Sequence, residues 1–131
     1  MLERRTQQRA AIQAAFDKAG VPLSPSEVLA LANDQKAGLG LATVYRTINT
    51  LLEQGWLVKV DMPGGITRYE RAGKAHHHHF SCTRCNKVFE IHGCPGNLAA
   101  LLPKGFELTD HEVILQGLCD LCAASTRAVR S

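Results

Sequence analysis

The side chains with the clearest capacity for chemistry in this chain are those of its cysteines. Four of the five cysteines form two C-x-x-C pairs, Cys82 with Cys85 and Cys119 with Cys122. Zinc prefers tetrahedral thiolate sites, and each C-x-x-C pair supplies two ligands from one tight turn. The quartet therefore predicts a structural Zn(2+) ion that joins the start of a small domain to its end. The alternative is a set of buried or redox-active cysteines.

Four consecutive histidines, residues 76–79, stand just before the first pair. In an extended segment alternate side chains point to opposite faces, so His77 and His79 share one face. His76 and His78 then share the other face, and one segment can serve two metal sites. Imidazoles and carboxylates suit zinc, iron(II) or manganese, whereas the alternative is a solvated histidine patch. Further candidate ligands lie on both sides of the run: Glu70, Glu90, His92 and His111.

The composition is that of a globular protein of one ordinary domain or two small ones. The chain has 131 residues, of which 45% are apolar and 21% charged, and its net charge of +3 does not by itself indicate nucleic acid binding. We find no apolar signal region and no run near the roughly 18 residues of a membrane span, so we expect a cytoplasmic protein without membrane contact. Cysteines in such a compartment indicate metal ligation rather than disulfides, and Cys94 remains as a buried small residue or a soft ligand.

The apolar pattern of the first 70 residues predicts three helices and a hairpin. We expect helices over residues 6–19, 24–33 and 42–54, the second opened by a capping box. Strand-forming residues at 56–60 and 66–70 flank a Pro-Gly-Gly turn. This order is typical of a winged helix-turn-helix, and the alternative is a small α/β domain without a DNA role.

The remaining chain predicts a second, smaller domain. We expect a winged-helix DNA-binding domain over residues 1–70, a hinge over 71–75, and a dimerisation and metal-binding domain over 76–131. The fold class is therefore α+β, with a winged helix-turn-helix followed by a small α/β domain that carries the four-cysteine zinc site. In that domain we expect three strands and one helix, at residues 80–82, 88–91, 113–118 and 97–102.

The chain resembles the ferric uptake regulator family of bacterial metal-dependent repressors over nearly its whole length. The resemblance is carried by residues 40–46 (GLATVYR), by the histidine run with its C-x-x-C pair, and by His111 with the second pair. It implies a homodimeric transcriptional repressor that controls metal homeostasis and binds a double-stranded, A/T-rich, palindromic DNA operator. The implied co-repressor is a divalent ion, either zinc, Zn(2+), or iron(II), Fe(2+).

The resemblance also implies DNA-contacting residues. The helix that carries Thr43, Tyr45 and Arg46 would enter the major groove. Tyr45 would contact thymine methyl groups, and Arg46 would contact a base or a phosphate. Arg4 or Arg5 would approach an A/T-rich minor groove, whose narrow shape attracts arginine.

The regulatory metal site of the family maps onto four residues: Glu70, His77, His79 and Glu90. A further family ligand, a histidine of the DNA-binding domain, falls at Pro22, and Asp61 is the candidate to replace it. The zinc-sensing branch uses an aspartate in that region. It also often has a linker cysteine, which residues 71–75 lack.

A second family site maps onto three histidines: His76, His78 and His111. Its usual glutamate falls at Asn97, which is a poor ligand. Either the site is lost, or Cys94 or His92 completes it. A set of histidine and cysteine ligands would favour zinc over iron.

Four other functions remain as alternatives to the metal-responsive regulator: a peroxide-sensing regulator, a metalloenzyme, a C-x-x-C redox protein and a zinc-bound adaptor that senses no metal. A peroxide-sensing regulator of the same family usually has Asp where Glu70 stands. A metalloenzyme could use a histidine and carboxylate site with an open position, but the sequence has no H-E-x-x-H motif. We therefore expect a regulator and not an enzyme.

Overall fold

The computed structural model describes residues 2–34 and 38–130. They form two compact units, unit 1 (Met1–Lys74) and unit 2 (Ala75–Ser131). The α+β class predicted from the sequence is confirmed, because each unit combines helices with a small sheet. Within the described chain, no helix is both long and apolar enough to cross a membrane.

Unit 1 consists of three helices followed by a two-stranded antiparallel hairpin. Helix α1 begins at Leu2 rather than at residue 6, because the leucine, glutamate and arginines ahead of residue 6 are good helix formers without an apolar periodicity. Arg4 and Arg5 therefore lie on a helix. The element bounds are α1 Leu2–Ala19, α2 Pro25–Asn33, α3 Leu41–Glu53, β1 Leu57–Val60 and β2 Arg68–Arg71.

The core of unit 1 determines which face of α3 is left exposed. Val44, Ile48 and Leu51 are buried on one side of α3. They pack with apolar residues from the other elements: Ile12, Phe16, Val28 and Leu57. Burial of each such side chain contributes about 1.5–3 kcal/mol. The opposite face of α3 therefore has to point outward, and Tyr45 on that face is 48% exposed.

A capping box opens α2, as the sequence predicts. The Ser24 hydroxyl accepts a hydrogen bond from the Glu27 amide at 3.3 Å, and the Glu27 carboxylate accepts one from the Ser24 amide at 2.9 Å. The same carboxylate pairs with the buried guanidinium of Arg68 in the hairpin. The cap therefore links the start of α2 to β2.

Replacing Ser24 with Ala is expected to lower the free energy of unfolding by about 1 kcal/mol, because it leaves an amide of the first helical turn without its partner. Ser26→Ala is the matched control, since Ser26 is exposed in the same turn. Urea unfolding of both variants measures the difference. Equal stability of the two variants would contradict the role of the cap.

Unit 2 is built on a three-stranded sheet in the order β4-β3-β5. The central strand β3 pairs antiparallel with β4 and parallel with β5. It begins at His78 rather than at residue 80, because His78 pairs with Ile91 and His79 with Glu90. The histidine run therefore enters the sheet itself. The strand bounds are β3 His78–Cys82, β4 Val88–Ile91 and β5 Ile114–Gly117.

Two elements of unit 2 differ from the sequence-based expectation. The helix expected over residues 97–102 is a single 3-10 turn, Leu98–Leu101, followed shortly by Pro103. The helix α4, Asp120–Arg130, was not predicted. Its first turn contains Cys122, so the second C-x-x-C pair leads directly from β5 into a helix.

Candidate metal centres and nucleic-acid interface

The cysteine quartet is assembled from the ends of two neighbouring strands. Cys82 ends β3, Cys119 follows β5, and Cys122 lies in the first turn of α4. The four sulfur atoms lie within 4.8 Å of one another, and the sulfurs of Cys85 and Cys119 are 3.9 Å apart. A tetrahedral zinc ion with Zn–S bonds of about 2.3 Å places its sulfurs roughly 3.8 Å apart. The donor set and its dimensions therefore fit a zinc ion.

The hydrogen bonds of the quartet favour one thiolate. The amides of Cys85 and Cys119 donate to the sulfur of Cys82 at 3.5 and 3.4 Å. These bonds, that of Cys85 first, lower the pKa of the Cys82 thiol to about 6. The hydrogen bond with the Cys119 side chain, and then burial, raise the pKa of Cys122 to about 12. Only a bound cation would stabilise four thiolates in so small a space.

A second cluster contains three histidines and the cysteine that lies outside the quartet. The Nε2 atom of His76 lies 3.2 Å from the Nε2 atoms of both His78 and His111. The sulfur of Cys94 lies 3.2 Å from Nε2 of His111. Cys94 is exposed, so its alternative as a buried small residue is wrong. Among the described residues, His92 belongs to none of these clusters.

His78 is the buried member of this second cluster. Its Nδ1 atom accepts a hydrogen bond from the Val113 amide at 3.1 Å. Burial lowers the pKa of His78, and the neighbouring His76 and His111 lower it further. The ring is therefore neutral in the absence of a ligand, and its position is set by the backbone ahead of β5.

The other two histidines of the run face Glu90, as the expected alternation requires. The rings of His77 and His79 lie 4.8 Å apart, and His79 pairs with Glu90 across β3 and β4. Nε2 of His77 is 3.8 Å from the Glu90 carboxylate, and Nδ1 of His77 is 2.8 Å from the Ala75 carbonyl. A hydrogen bond from Nδ1–H to a backbone carbonyl fixes the tautomer in which Nε2 is the atom that can bind a metal ion. Two imidazoles and a carboxylate are ligand types that suit a borderline divalent cation.

The two carboxylates that the sequence adds to this regulatory site belong to unit 1. Glu70 lies in β2, is 7% exposed, and has the Lys74 ammonium 3.8 Å from its carboxylate. Asp61 follows β1, and its side chain is 92% exposed beside Lys59. Pro22 is buried and offers no ligand atom. Ligation by Glu70 and Asp61 stays a prediction.

A groove in unit 1 brings α1 and the exposed face of α3 together. Its lining includes three of the residues that the sequence predicts to contact DNA, Arg5, Thr43 and Arg46. The guanidinium of Arg46 donates to the Thr43 hydroxyl at 3.1 Å. The remaining lining residues were not predicted: Gln8, Arg9, Thr47 and Thr50. Their spacing of three or four residues along each helix was the available signal.

The arginines of α1 differ in their relation to this groove. Arg5 and Arg9 lie one helical turn apart and both line it, and the Arg9 guanidinium bonds to the Gln54 side chain just after α3. Arg4 is exposed and does not line the groove. Two cations beside polar side chains form a surface suited to a phosphate backbone.

Comparisons with known proteins match both units. The model of the ferric uptake regulator family matches residues 3–116. The ferric uptake regulation protein of Bacillus subtilis (strain 168) is 30% identical over 122 residues, which is 88% of this chain and 82% of that protein. The ferric uptake regulator of Francisella tularensis solved with iron is 29% identical, with a TM-score of 0.68 over 89% of this chain and 92% of the other. A zinc-bound manganese uptake regulator is 26% identical, with a TM-score of 0.74 over 86% and 87% of the two chains.

Proposed function

Because the chain belongs to the ferric uptake regulator family of metal-responsive transcriptional regulators, we propose that it is a homodimeric repressor controlled by zinc or iron(II). The observation that carries the proposal is that His77, just before β3, lies beside His79 of β3 and within 3.8 Å of the Glu90 carboxylate of β4. These ligand types suit an exchangeable cation, and unit 1 of the same chain carries a basic groove. A regulator of bacterial genes works in the cytoplasm, and that location stays a prediction.

The cysteine quartet would hold a structural zinc ion in this protein. All four positions of a tetrahedral site are filled by sulfur, so no position is open for a substrate. Unit 2 has a small sheet and, among its described side chains, few that are apolar and buried, so a tight metal site would supply stability that this core cannot. This role is structural, and it leaves regulation to the histidine clusters.

Regulation would work through ligands that come from both units. His77, His79 and Glu90 would hold a divalent cation in unit 2, and Glu70, with Asp61 as a further candidate, would add oxygen ligands from unit 1. A cation that bonds to ligands of both units would favour the arrangement of the units in which all of these bonds can form. A shift from 1:99 to 99:1 in such an equilibrium needs about a 10⁴-fold difference in metal affinity between the two arrangements.

We place zinc first as the regulatory ion, with iron(II) second. Imidazole and carboxylate ligands accept either ion, and the relatives described above include one solved with iron and one bound to zinc. The zinc-sensing branch of the family uses an aspartate near the position of Asp61. The thiolates in both other clusters also indicate a chain adapted to zinc.

DNA binding would use the exposed face of α3. Tyr45 and Arg46 would read the major groove, while Arg5 and Arg9 of α1 would contact phosphates or the adjacent minor groove. A homodimer would place two such helices on half-sites about 34 Å apart in a palindromic, A/T-rich operator. Zinc or iron(II) would set the spacing of the two helices and thereby the affinity.

Removing the imidazole of His77 tests this proposal. Fluorescence anisotropy would measure the affinity for an operator selected from random DNA by the zinc-loaded protein, in saturating zinc and in mild chelator. The wild type is expected to bind at least about 10-fold more tightly with zinc, which corresponds to about 1.4 kcal/mol of coupling. His77→Ala is expected to bind equally weakly in both conditions.

His92→Ala is the matched control, because His92 is an exposed histidine outside the clusters of described residues. It should keep the full zinc dependence. Zinc dependence that persists in His77→Ala would overturn the assignment of the regulatory site. A wild type that binds no duplex DNA in either condition would overturn the proposed function as a whole.

A further inference from the structure

The second cluster contains a sulfur atom where the resemblance supplies a carboxylate. We propose that Cys94 is a metal ligand together with His76 and His111, and that His78 occupies the fourth position. The cluster would thus be a mixed thiolate and imidazole site that selects zinc over iron(II) and manganese(II). This site goes beyond the regulatory site at His77 and does not depend on DNA binding.

The distances within the cluster match those between ligands of one small cation. A tetrahedral ion with Zn–N bonds of about 2.0–2.1 Å separates two nitrogen ligands by roughly 3.3 Å. The two contacts from Nε2 of His76, to His78 and to His111, are both 3.2 Å. Cys94 adds its sulfur at 3.2 Å from Nε2 of His111. One ligand atom from each residue lies within 4.8 Å of every other.

Hydrogen bonding among the rings accounts for only part of this arrangement. The Val113 amide donates to Nδ1 of His78, so the proton of the neutral ring is on Nε2 and points to His76. His76 and His111 then approach each other through nitrogen atoms of which only one can donate. His76 and His111 can each present Nε2 to a cation as the Nδ1–H tautomer, and Cys94 can do so as a thiolate. His78 must in addition give up its hydrogen bond from the Val113 amide.

The cluster is assembled from three segments that the sheet of unit 2 holds together. His76 comes just before β3, Cys94 follows β4, and His111 precedes β5. His76 and Cys94 are exposed, whereas Cys82 and Cys119 of the quartet are buried. With two exposed ligands, against one in the quartet (Cys85), the second site is expected to exchange its ion with solvent more readily.

The selectivity follows from the ligand types. Thiolate ligands favour zinc over iron(II) and manganese(II), which prefer carboxylate and other oxygen ligands. The oxygen ligand that the resemblance places here is replaced by Asn97, which lies exposed at the start of the 3-10 turn and is a poor ligand. Cys94 is therefore the residue that determines which ion the site prefers.

Cobalt(II) is the probe that distinguishes this site from the other two. The quartet is first filled with one zinc ion per chain, and cobalt is then added to the full-length protein without DNA. The regulatory site at His77 has no sulfur, so a new near-ultraviolet thiolate-to-cobalt band can arise only at Cys94. The wild type and His92→Ala are expected to show this band, and Cys94→Ser is expected to lose it.

The zinc affinity provides a second, independent measurement. Removing a hydrogen-bond partner of a metal ligand already lowers the metal affinity about 10–100-fold. Cys94→Ser removes the ligand itself, so the affinity of this site for exchangeable zinc is expected to fall at least about 10-fold. Cys94→Asp is expected to lower the ratio of zinc to manganese affinity. The proposal is overturned if the wild type shows no thiolate band, if Cys94→Ser keeps it, or if the affinities of both variants match the wild type. None of these outcomes bears on DNA binding.

Discussion

Replacing Cys82 with Ser is expected to remove the tightly held zinc ion and to unfold most of unit 2. Cys82 is fully buried at the end of the central strand, and its sulfur accepts hydrogen bonds from two backbone amides of the quartet. Structural zinc contributes about 10–16 kcal/mol of apparent binding free energy in zinc-finger peptides. A domain is stable by only about 5–15 kcal/mol, so loss of the ion would outweigh the remaining contacts.

The two units can be followed separately in this experiment. The only tryptophan, Trp56, lies in unit 1 and packs edge-on against Phe16. Cys82→Ser should therefore lose zinc by elemental analysis and lose strand signal in circular dichroism, while Trp56 emission stays that of the wild type. Cys94→Ser is the matched control, since it removes a thiol outside the quartet and should keep the tightly held zinc ion and the strand signal. A Cys82→Ser protein that keeps its tight zinc and its thermal transition would contradict the structural role of the quartet.

Replacing Arg46 with Ala is expected to abolish tight operator binding while leaving the fold intact. Arg46 is exposed on α3, lines the groove, and is held by the Thr43 hydroxyl rather than by the core. A contact between arginine and guanine is worth about 1–3 kcal/mol. A homodimer loses two such contacts, so the expected loss of affinity is on the order of 10²-fold or more.

Lys104→Ala is the control for charge, because it also removes one cation, from an exposed loop of unit 2. Anisotropy titrations at several salt concentrations would distinguish a contact with a base from a contact with a phosphate. Arg46→Ala should weaken binding to the operator more than binding to random duplex if it reads a base, and equally if it contacts only phosphate. Unchanged operator affinity in Arg46→Ala, at any salt concentration, would remove α3 from the DNA interface.

The clustering of the candidate metal ligands could be predicted in part from the sequence, because it depends on short spacings. A C-x-x-C pair brings two sulfurs together through one turn, and the alternation of a strand separates His77 and His79 from His76 and His78. The choice between Cys94 and His92 could not be made in this way. It depends on the path of the loop after β4, which places Cys94 against His111 from a distant part of the chain.

The helical elements show a similar division. The capping box at Ser24 marks the start of α2 in the sequence itself, because both of its hydrogen bonds are local. The helix α4 has no comparable signal, since its first turn coincides with the second C-x-x-C pair. The place of Arg9 in the groove was not predicted, because it depends on how α1 packs against α3. The sequence of either helix alone does not determine that packing.

The central claim is that a divalent cation at His77, His79 and Glu90 is coupled to DNA binding, and linkage tests it most directly. If the cation raises operator affinity by some factor, operator DNA must raise the affinity for the cation by the same factor. The measurement is a competitive titration of exchangeable zinc against a chelator of known affinity, with and without saturating operator. We expect zinc to bind at least about 10-fold more tightly with the operator, by the factor that anisotropy gives for DNA. Equal zinc affinity in the presence and absence of operator would contradict the coupling.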